Sequence, residues 1–258
     1  MLVDDASQVA ELSAAATAAG ATLDALVEVD VGAHRCGVSP GEPAARLATA
    51  IAAAPGLALR GVHAYHGAAQ HLRTPAARRD AIAGAVASAA ASKAAIEAAG
   101  LRCAVITGAG TGTWQEERDS GVYTELQPGS YVFMDADYGR NALAADQHHF
   151  EQSLFVLATV MSVAVPSQVV VDAGLKSLAF DSGPPLVHGA AGLDFVNASD
   201  EHGVVGVAGA ASAPKLGERL WLVPGHCDPT VNLHDWIVGV RGEIVERVWA
   251  VAARGALG

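Results

Sequence analysis

Basic residues are scarce in this sequence. Of its 258 residues only 16 are lysine or arginine, against 27 aspartate or glutamate, which gives a formal charge of −11. A nucleic-acid surface must neutralise phosphates with clustered lysine and arginine, so this balance argues against nucleic acid as a partner. Three cysteines, Cys36, Cys103 and Cys227, stand at unrelated spacings. They make no disulfide framework, so a reducing cytoplasm is the expected location.

A long apolar run and a leader are also lacking. The longest apolar stretch, Leu154 to Pro166, is strand-like and too short to span a bilayer, so no membrane partner is expected. Met1 is followed almost at once by Asp4 and Asp5, which is unlike a signal peptide. Half of the residues are apolar and only 17% are charged, which is typical of a globular protein with a large core.

Strand and helix patterns alternate from residue 1 to about residue 145. Short connections between strands and helices are typical of a parallel sheet, either open or closed into a barrel. The predicted helices are Asp5–Ala19, Glu42–Ala54 and Pro75–Ala99. The predicted strands are Leu26–Val31, Leu59–Tyr65, Cys103–Thr107 and Tyr123–Leu126.

The pattern changes near residue 150, within the polar stretch Gly139–Gln152. Short β runs separated by turn residues then take over, and they predict a compact, mostly antiparallel β domain. We therefore expect an α/β part over residues 1–145 and a β domain over residues 150–258. The predicted strands of the second part are Leu154–Val165, Gln168–Val171, Gly203–Val207, Arg219–Val223, Trp236–Val240 and Glu243–Trp249.

Polar side chains gather just after the predicted strands, where barrels and parallel sheets place their active sites. For any single one of them an ordinary loop residue is the commoner explanation. Four consecutive strand ends with such groups nevertheless predict a shared site. After the first two strands these residues are His34, Arg35, Tyr65, His66, Gln70 and His71.

The segment Thr107–Thr113 packs three glycines and three threonines into seven residues after a predicted strand. Backbone amides freed by glycine, with hydroxyls beside them, predict an anion-binding loop. The spacing matches neither the Walker pattern nor the dinucleotide fingerprint, which favours a single phosphate, as on pyridoxal phosphate (PLP), over a nucleotide. A plain glycine-rich loop remains the alternative. Gly129-Ser130-Tyr131, after the next strand, offers a second set of donors.

His226 and Asp228 follow a predicted strand, Leu220–Val223, and the turn residues Pro224-Gly225. If this segment is extended, side chains two residues apart share one face. An imidazole nitrogen and a carboxylate oxygen suit a divalent cation, with the remaining positions open to water or substrate. A bare His-x-Asp triplet is weak evidence, because loop polar groups often show it.

Seven motifs follow one another along the chain: Asp30-Val31-Gly32-x-x-Arg35-Cys36-Gly37, Ala64-Tyr65-His66-Gly67, Thr107–Thr113, Gln127-Pro128-Gly129-Ser130-Tyr131, Asp172-Ala173-Gly174-x-Lys176 with Asp181-Ser182-Gly183-Pro184-Pro185, Glu201-His202-Gly203, and Pro224–Asn232. Together they resemble the D-threonine aldolase / D-serine dehydratase family, which are fold-type III PLP enzymes related to alanine racemase. The match runs over essentially the whole chain, and the succession is much more specific than any one motif.

The resemblance implies a partial TIM-like barrel of the alanine racemase type, followed by a mostly antiparallel β domain that bears the metal. It implies PLP as cofactor, with Arg35 close to it and with Tyr65 and His66 on the cofactor or substrate side. These three are the expected catalytic residues. The implied phosphate contacts come from Thr107, Gly108, Gly110, Thr111, Gly112, Gly129, Ser130 and Tyr131.

The resemblance also implies that His226 and Asp228 are metal ligands. The family's dehydratases look to carry a cysteine at the second position and to bind zinc, whereas its aldolases carry an aspartate. Asp228 therefore favours an aldolase, and its oxygen favours manganese, magnesium or calcium over zinc. The implied reaction cleaves a D-β-hydroxy-α-amino acid to glycine and an aldehyde, in a homodimer. A D-serine or 3-hydroxyaspartate dehydratase and a non-catalytic remnant that binds metal or a partner are the alternatives.

One departure from the family concerns lysine. The family holds PLP as a Schiff base on a lysine of the first barrel strand, whereas Lys93 is predicted in a helix and Lys176 and Lys215 in the β domain. Lys176 is expected to pair with Asp172 or Asp181. Such a barrel takes about 250 residues, but only about 145 precede the β domain. We therefore expect that the N-terminal part of the barrel is absent and that this chain alone forms no Schiff base.

Overall fold

The structure, a computed structural model, describes residues 1–256 and divides into two compact units. The first unit is formed by residues 1–129 and 141–149, and the second by residues 130–140 together with the chain from Phe150 onward. The predicted ranges differ from these units in that residues 130–140 belong to the second. The reason is that the amides of Ala136 and Asp137 donate to the carbonyls of Pro224 and Gly225.

A five-stranded parallel sheet forms the centre of the first unit, and its strands follow chain order from one edge to the other. Sequential parallel strands with helical crossovers are the arrangement of a barrel wall. The strands are β1 (Leu2–Val3), β2 (Leu23–Glu28), β3 (Leu57–His63), β4 (Val105–Gly108) and β5 (Glu125–Leu126). The helices between them are α1 (Ala6–Ala18), α2 (Glu42–Ala53), α3 (Pro75–Ala98) and α4 (Trp114–Asp119).

The three long helices were predicted to within a residue or two because their ends carry clear signals. At the start of α1 the carboxylate of Asp5 accepts a hydrogen bond from the Ser7 amide, and Gln8 completes a capping box. The Thr74 hydroxyl caps α3, and Pro75 occupies its first turn. Helix α3 ends before Gly100, whose φ of 78° is left-handed.

By length and composition α3 is the one helix among residues 1–256 that could cross a membrane. Its residues Ala85, Ala89 and Ile96 are fully buried and belong to the hydrophobic core of the first unit. Val27 of β2 and Val62 of β3 lie in the same core. A long apolar helix that packs in a protein core has the same length and composition as a membrane-spanning helix, so these two properties alone do not show that α3 spans a membrane.

The second unit is built on a six-stranded antiparallel sheet with the strand order β8-β11-β6-β7-β10-β9, and a separate hairpin pairs β12 with β13. The predicted mostly antiparallel β domain is confirmed. Its elements are α5 (Ala136–Gly139), β6 (Val156–Val165), β7 (Gln168–Val171), β8 (Leu186–Val187), β9 (Asp194–Ala198), β10 (Gly203–Gly206), β11 (Arg219–Val223), α6 (Cys227–Asn232), β12 (Trp236–Arg241) and β13 (Ile244–Ala250).

Candidate active site

The loops that follow the parallel strands of the first unit contact one another at the carboxyl edge of the sheet. Gly32, after β2, lies so close to His66, after β3, that a Cβ atom on it would stand 2.8 Å from the imidazole Nε2. The Arg35 guanidinium carbon lies 5.8 Å from the centroid of the Tyr65 ring. The structure thus brings Arg35, Tyr65 and His66 together, and their catalytic roles stay predictions.

Burial controls the protonation of this group. It lowers the pKa of His66, although the Asp30 charge acts in the opposite direction, so the imidazole is neutral near pH 7. Its buried Nδ1 has no hydrogen-bond partner within residues 1–256. Burial also raises the pKa of Tyr65. For Asp30 burial alone would raise the pKa, but hydrogen bonds from the Gly32 and His34 amides outweigh it and lower the pKa to about 2.

The glycine–threonine loop between β4 and α4 presents buried donors without acceptors. Thr111 is 7% exposed, and its hydroxyl has no hydrogen-bond partner in the described part of the chain. We also find no backbone acceptor there for the amides of Ala109, Gly110 and Thr111. Unpaired buried donors are rare in folded proteins. A phosphate group would satisfy them, so this loop fits the phosphate of PLP.

Thr107 and Gly108, which are also predicted to contact phosphate, make other contacts within the first unit. The Thr107 hydroxyl donates to Glu125 Oε1 at 2.7 Å and accepts from Gln127 Nε2 at 2.9 Å, which leaves it no proton for a phosphate. A Cβ atom on Gly108 would stand 2.5 Å from the carbonyl oxygen of Ala64. Close packing is therefore a sufficient reason for glycine at position 108, and the phosphate contacts of Thr107 and Gly108 stay predictions.

The three donors predicted after β5 fall on both sides of the division between the units. Gly129 is the last residue of the first segment of the first unit, and a Cβ atom on it would meet nothing within 4 Å. Ser130 and Tyr131 begin the second unit in a short 3₁₀ turn. The Tyr131 ring packs against Phe150, with 5.2 Å between the ring centroids. The phosphate contacts predicted for these three residues stay predictions.

Several polar residues of the carboxyl edge were not singled out from the sequence. His63 Nε2 lies 3.1 Å from Gln127 Oε1, and the Tyr123 hydroxyl donates to the Ala64 carbonyl at 2.8 Å. Burial raises the pKa of Tyr123 above its usual range. No short motif marks these residues, because their partners lie on neighbouring strands. The available signal is a polar residue at the end of a strand, as at His63.

The condition that His226 and Asp228 share one face of an extended segment is not met, because His226 has extended backbone angles but Asp228 is helical. His226 is the N-cap of α6, and Asp228 is exposed in the first turn of that helix. The helix begins here because Asp135 accepts a hydrogen bond from the Cys227 amide at 2.8 Å. A proline at position 229 is also compatible with a first turn.

The imidazole of His226 is held by a carboxylate. Asp181 Oδ2 lies 2.6 Å from His226 Nδ1. Burial alone would raise the pKa of Asp181, but hydrogen bonds from His226 and Ser182 act together against it, and the pKa is lowered. Asp181 was predicted as a possible partner of Lys176, but Lys176 Nζ pairs with Glu201 Oε1 at 2.8 Å. Histidines that bind metals commonly have their other ring nitrogen held by a carboxylate in this way.

Within residues 1–256 no group of three or more histidine, cysteine, aspartate or glutamate side chains could hold a metal ion. A cation at His226 and Asp228 would therefore depend on two protein ligands and take its others from water or substrate. The Asp181–His226 pair fits such a site. The ligand roles themselves stay predictions.

Comparison with known proteins assigns the family. The alanine racemase N-terminal domain family matches residues 1–137, and a serine dehydratase domain family matches residues 153–240. The crystal structure of D-threonine aldolase from Filomicrobium marinum matches with a TM-score of 0.97 at 47% identity, and covers 100% of this chain and 70% of that one. The chain belongs to the D-threonine aldolase / D-serine dehydratase family. The partial alanine racemase-type barrel followed by a β domain is thereby confirmed.

Two enzymes of this family are similar to the chain over nearly its whole length. It is 48% identical over 257 residues to 3-hydroxy-D-aspartate aldolase from Paracoccus denitrificans (strain Pd 1222). It is 49% identical over 253 residues to D-threonine aldolase from Arthrobacter sp.. Each alignment covers 98% of this chain and 66% of the relative. The chain thus spans just under two thirds of the length of these relatives.

None of the three lysines lies in the strand-end loops of the first unit. Lys93 projects from α3 with its ammonium 3.7 Å from Glu97, and Lys176 is held by Glu201. Lys215 is exposed before β11. The residues present therefore fit PLP through non-covalent donors such as Thr111, and not through a lysine of these loops.

Proposed function

We propose that this protein is a PLP-dependent aldolase that cleaves a D-β-hydroxy-α-amino acid to glycine and an aldehyde. The observation that carries the proposal is the identity of 48–49%, over 98% of the chain, to two enzymes named as aldolases of such compounds. D-threonine and 3-hydroxy-D-aspartate share an amino group, a carboxylate and a β-hydroxyl. They differ in the group on the β-carbon, so these shared groups are what the site has to recognise.

The first unit would hold the cofactor and the acid–base groups. The Thr111 hydroxyl and the amides of Ala109, Gly110 and Thr111 would bind the phosphate of PLP. When bound, PLP supplies an electron sink for the carbanion left by Cα–Cβ cleavage. Arg35 brings a positive charge beside Tyr65 and would orient an anionic group of cofactor or substrate. The neutral His66 imidazole can accept the proton of the β-hydroxyl.

The second unit would hold a divalent cation, which we infer to be manganese, magnesium or calcium rather than zinc. Asp181 holds Nδ1 of His226, which fixes the imidazole and leaves Nε2 for the ion. Asp228 adds a carboxylate oxygen, which is the ligand that these hard cations prefer. When bound, the cation supplies Lewis-acid activation of an oxygen ligand such as a hydroxyl group. We further propose that the enzyme works as a homodimer in the cytoplasm.

The test uses the protein expressed from its own gene at full length and supplied with PLP and Mn²⁺, because this 258-residue chain alone is expected to form no Schiff base. Incubation with D-threonine should yield glycine and acetaldehyde, and 3-hydroxy-D-aspartate should yield glycine and glyoxylate, while L-threonine should yield neither. A 2-oxoacid with ammonia would assign a dehydratase instead. Absence of both product sets with both D-substrates would overturn the catalytic proposal.

A pair of variants tests the cation within the same assay. His226→Ala should abolish the dependence of the rate on added Mn²⁺. His188→Ala, which changes a histidine of the same unit whose ring centroid lies 4.7 Å from that of Phe155, should keep that dependence. If the rate of His226→Ala still depends on Mn²⁺ as in the natural sequence, the cation does not bind at His226.

A further inference from the structure

Gln70, Thr113 and Glu117 form a buried chain of hydrogen bonds beside the glycine–threonine loop. Their exposures are 0%, 1% and 1%. The Thr113 hydroxyl accepts from Gln70 Nε2 at 2.8 Å and donates to Glu117 Oε1 at 2.9 Å. We call these three side chains the buried relay. It joins the loop after β3 to the first turns of α4.

The Gln70 end of the buried relay touches both loops of the candidate site. Gln70 Oε1 accepts from the Gly112 amide at 2.9 Å, and Gln70 Nε2 also donates to the His66 carbonyl at 3.3 Å. A Cβ atom on Gly110 would stand 2.5 Å from Gln70 Oε1. The loop thus contacts the Gln70 amide directly, so a change in the buried relay should alter the environment of Gly110 and Gly112.

We propose that the buried relay couples the charge of Glu117 to the glycine–threonine loop, so that the loop binds a phosphate more tightly when Glu117 is protonated. Gln70 and Thr113 act as positioning residues, and Glu117 is the titrating end. The inference rests on the proposed function in one respect, namely that the loop binds a phosphate. The hydrogen-bond coupling from Glu117 to Gly112 is independent of it.

The state of Glu117 supports this coupling. Its Oε2 is buried and has no hydrogen-bond partner within residues 1–256, so the ionised form leaves one charged oxygen unsatisfied. Burial raises the pKa of Glu117 to about 7, although the Thr113 hydrogen bond acts in the opposite direction. A bound dianion would repel the carboxylate and raise this pKa further. The affinity for the dianion should therefore fall as the pH rises through about 7.

The neighbouring charges leave Glu117 as the group that titrates here. Tyr65 and Tyr123 face it from the ends of the loops after β3 and before β5, and burial raises the pKa of both phenols, so they stay neutral. Glu116, on the same helix, has a pKa raised by burial, and Arg78 and Arg79 of α3 act on it. Glu116 is therefore a competing group that a control must address.

The first test follows the Gly112 amide by NMR as the pH is varied, without ligand. In the natural sequence its chemical shift should titrate with a midpoint near pH 7. Glu117→Gln keeps an acceptor for Thr113 but cannot ionise, so the titration should vanish. Glu116→Gln and Asp119→Asn should retain it. A titration that persists in Glu117→Gln would overturn the relay.

Variants at Thr113 separate coupling from simple packing. Thr113→Val removes the hydroxyl at similar volume, so Gly112 should lose its titration even though Glu117 is present. Thr113→Ser restores the hydroxyl and should restore the titration. Amide spectra verify that each variant is folded. Equal titrations in Thr113→Val and Thr113→Ser would show that Thr113 transmits nothing.

The second test measures sulfate affinity, because sulfate stays a dianion throughout the range studied. A rise of one unit in the Glu117 pKa on binding corresponds to an affinity loss of about tenfold across the titration. The loss should be absent in Glu117→Gln and present in Asp119→Asn. Equal losses of sulfate affinity in the natural sequence, Glu117→Gln and Asp119→Asn would overturn the coupling through the buried relay but would leave the proposed phosphate site standing. If sulfate moves no amide of the loop in any variant, the anion coupling and the proposed phosphate site fail together.

Discussion

Asp181 is the residue on which the predicted cation site most depends. It holds His226 Nδ1 at 2.6 Å, and so fixes both the orientation of the ring and the nitrogen that can bind a metal. Asp181→Asn removes the charge and leaves the ring free to turn, so the affinity for Mn²⁺ should fall by about 10- to 100-fold. Isothermal titration calorimetry measures this affinity.

The matched control for Asp181 is Asp194→Asn, which changes an exposed carboxylate of β9 in the same unit. Its Mn²⁺ affinity should equal that of the natural sequence. An Asp181→Asn protein that binds Mn²⁺ as tightly as this control would show that His226 is not oriented for a metal by Asp181.

Glu117 also makes folding stability depend on pH. Its pKa is about 7 in the folded chain against an ordinary value of 4.5, so the folded state holds its proton more tightly than the unfolded state. Stability is therefore highest below about pH 4.5 for this group and declines as the pH rises to about 7. The full decline is on the order of 3 kcal/mol. Glu117→Gln should remove it, so the variant should be more stable than the natural sequence at pH 8 but not at pH 5.

Urea denaturation followed by far-ultraviolet circular dichroism measures this difference, because the long helices α1, α2 and α3 all lie in the first unit. Asp119→Asn is the control, since its carboxylate is exposed on the same helix. A Glu117→Gln protein whose stability changes with pH as much as that of the control would contradict the raised pKa.

At the residue scale, the site residues that lie within short motifs could be predicted from the sequence. Arg35, Tyr65 and His66 stand in compact motifs after strands, and the structure brings them together. The Gln70–Thr113 and Asp181–His226 pairs are separated by 43 and 45 residues, and no local spacing connects their members. Such partners follow from the approach of distant loops, which a single sequence does not display.

At the scale of elements, the long helices were predictable and some of the short elements were not. Alanine-rich runs marked α1, α2 and α3, and side-chain caps mark the starts of α1 and α3. The six-residue α6 has no room for a hydrophobic period, so the sequence did not indicate a helix there. The two-residue strands β1 and β8 were missed for the same reason, since two residues cannot show alternation.

The glycine–threonine loop and α3 allow opposite predictions for one substitution. Gly110→Ala would place a methyl group 2.5 Å from Gln70 Oε1, inside the buried relay, and should destabilise the first unit by about 1–3 kcal/mol. Gly84→Ala, in the middle of α3, meets nothing within 4 Å and should stabilise it by about 0.5–1 kcal/mol. Urea denaturation compares both with the natural sequence. Equal effects would mean that Gln70 moves away from the loop at little cost.

At the scale of the whole molecule, the change of pattern near residue 150 predicted an α/β part followed by a β part. Residues 130–140 could not be assigned from the sequence. They belong to the second unit because their backbone amides donate hydrogen bonds to Pro224 and Gly225, almost ninety residues further along the chain. Backbone contacts over such separations depend on the completed fold and not on the side chains of the segment itself.

The distribution of lysines over the molecule gives the last prediction. A Schiff base requires an amine at the cofactor aldehyde, and a lysine reaches only a few ångströms beyond its backbone. Lys93 lies on α3, and Lys176 is paired with Glu201 in the second unit. PLP added to this 258-residue chain should therefore give no stoichiometric adduct on either residue, nor on the exposed Lys215.

Borohydride trapping followed by peptide mapping checks this outcome, with the absorption of the solution as a second readout. Phosphate contacts at Thr111 can retain PLP weakly without a covalent bond, so bound cofactor should be released on denaturation of the trapped sample. Sulfate should compete with it, because both anions would use the same loop. A stoichiometric adduct on one lysine that sulfate prevents would place that lysine beside the loop, contrary to its position in the structure.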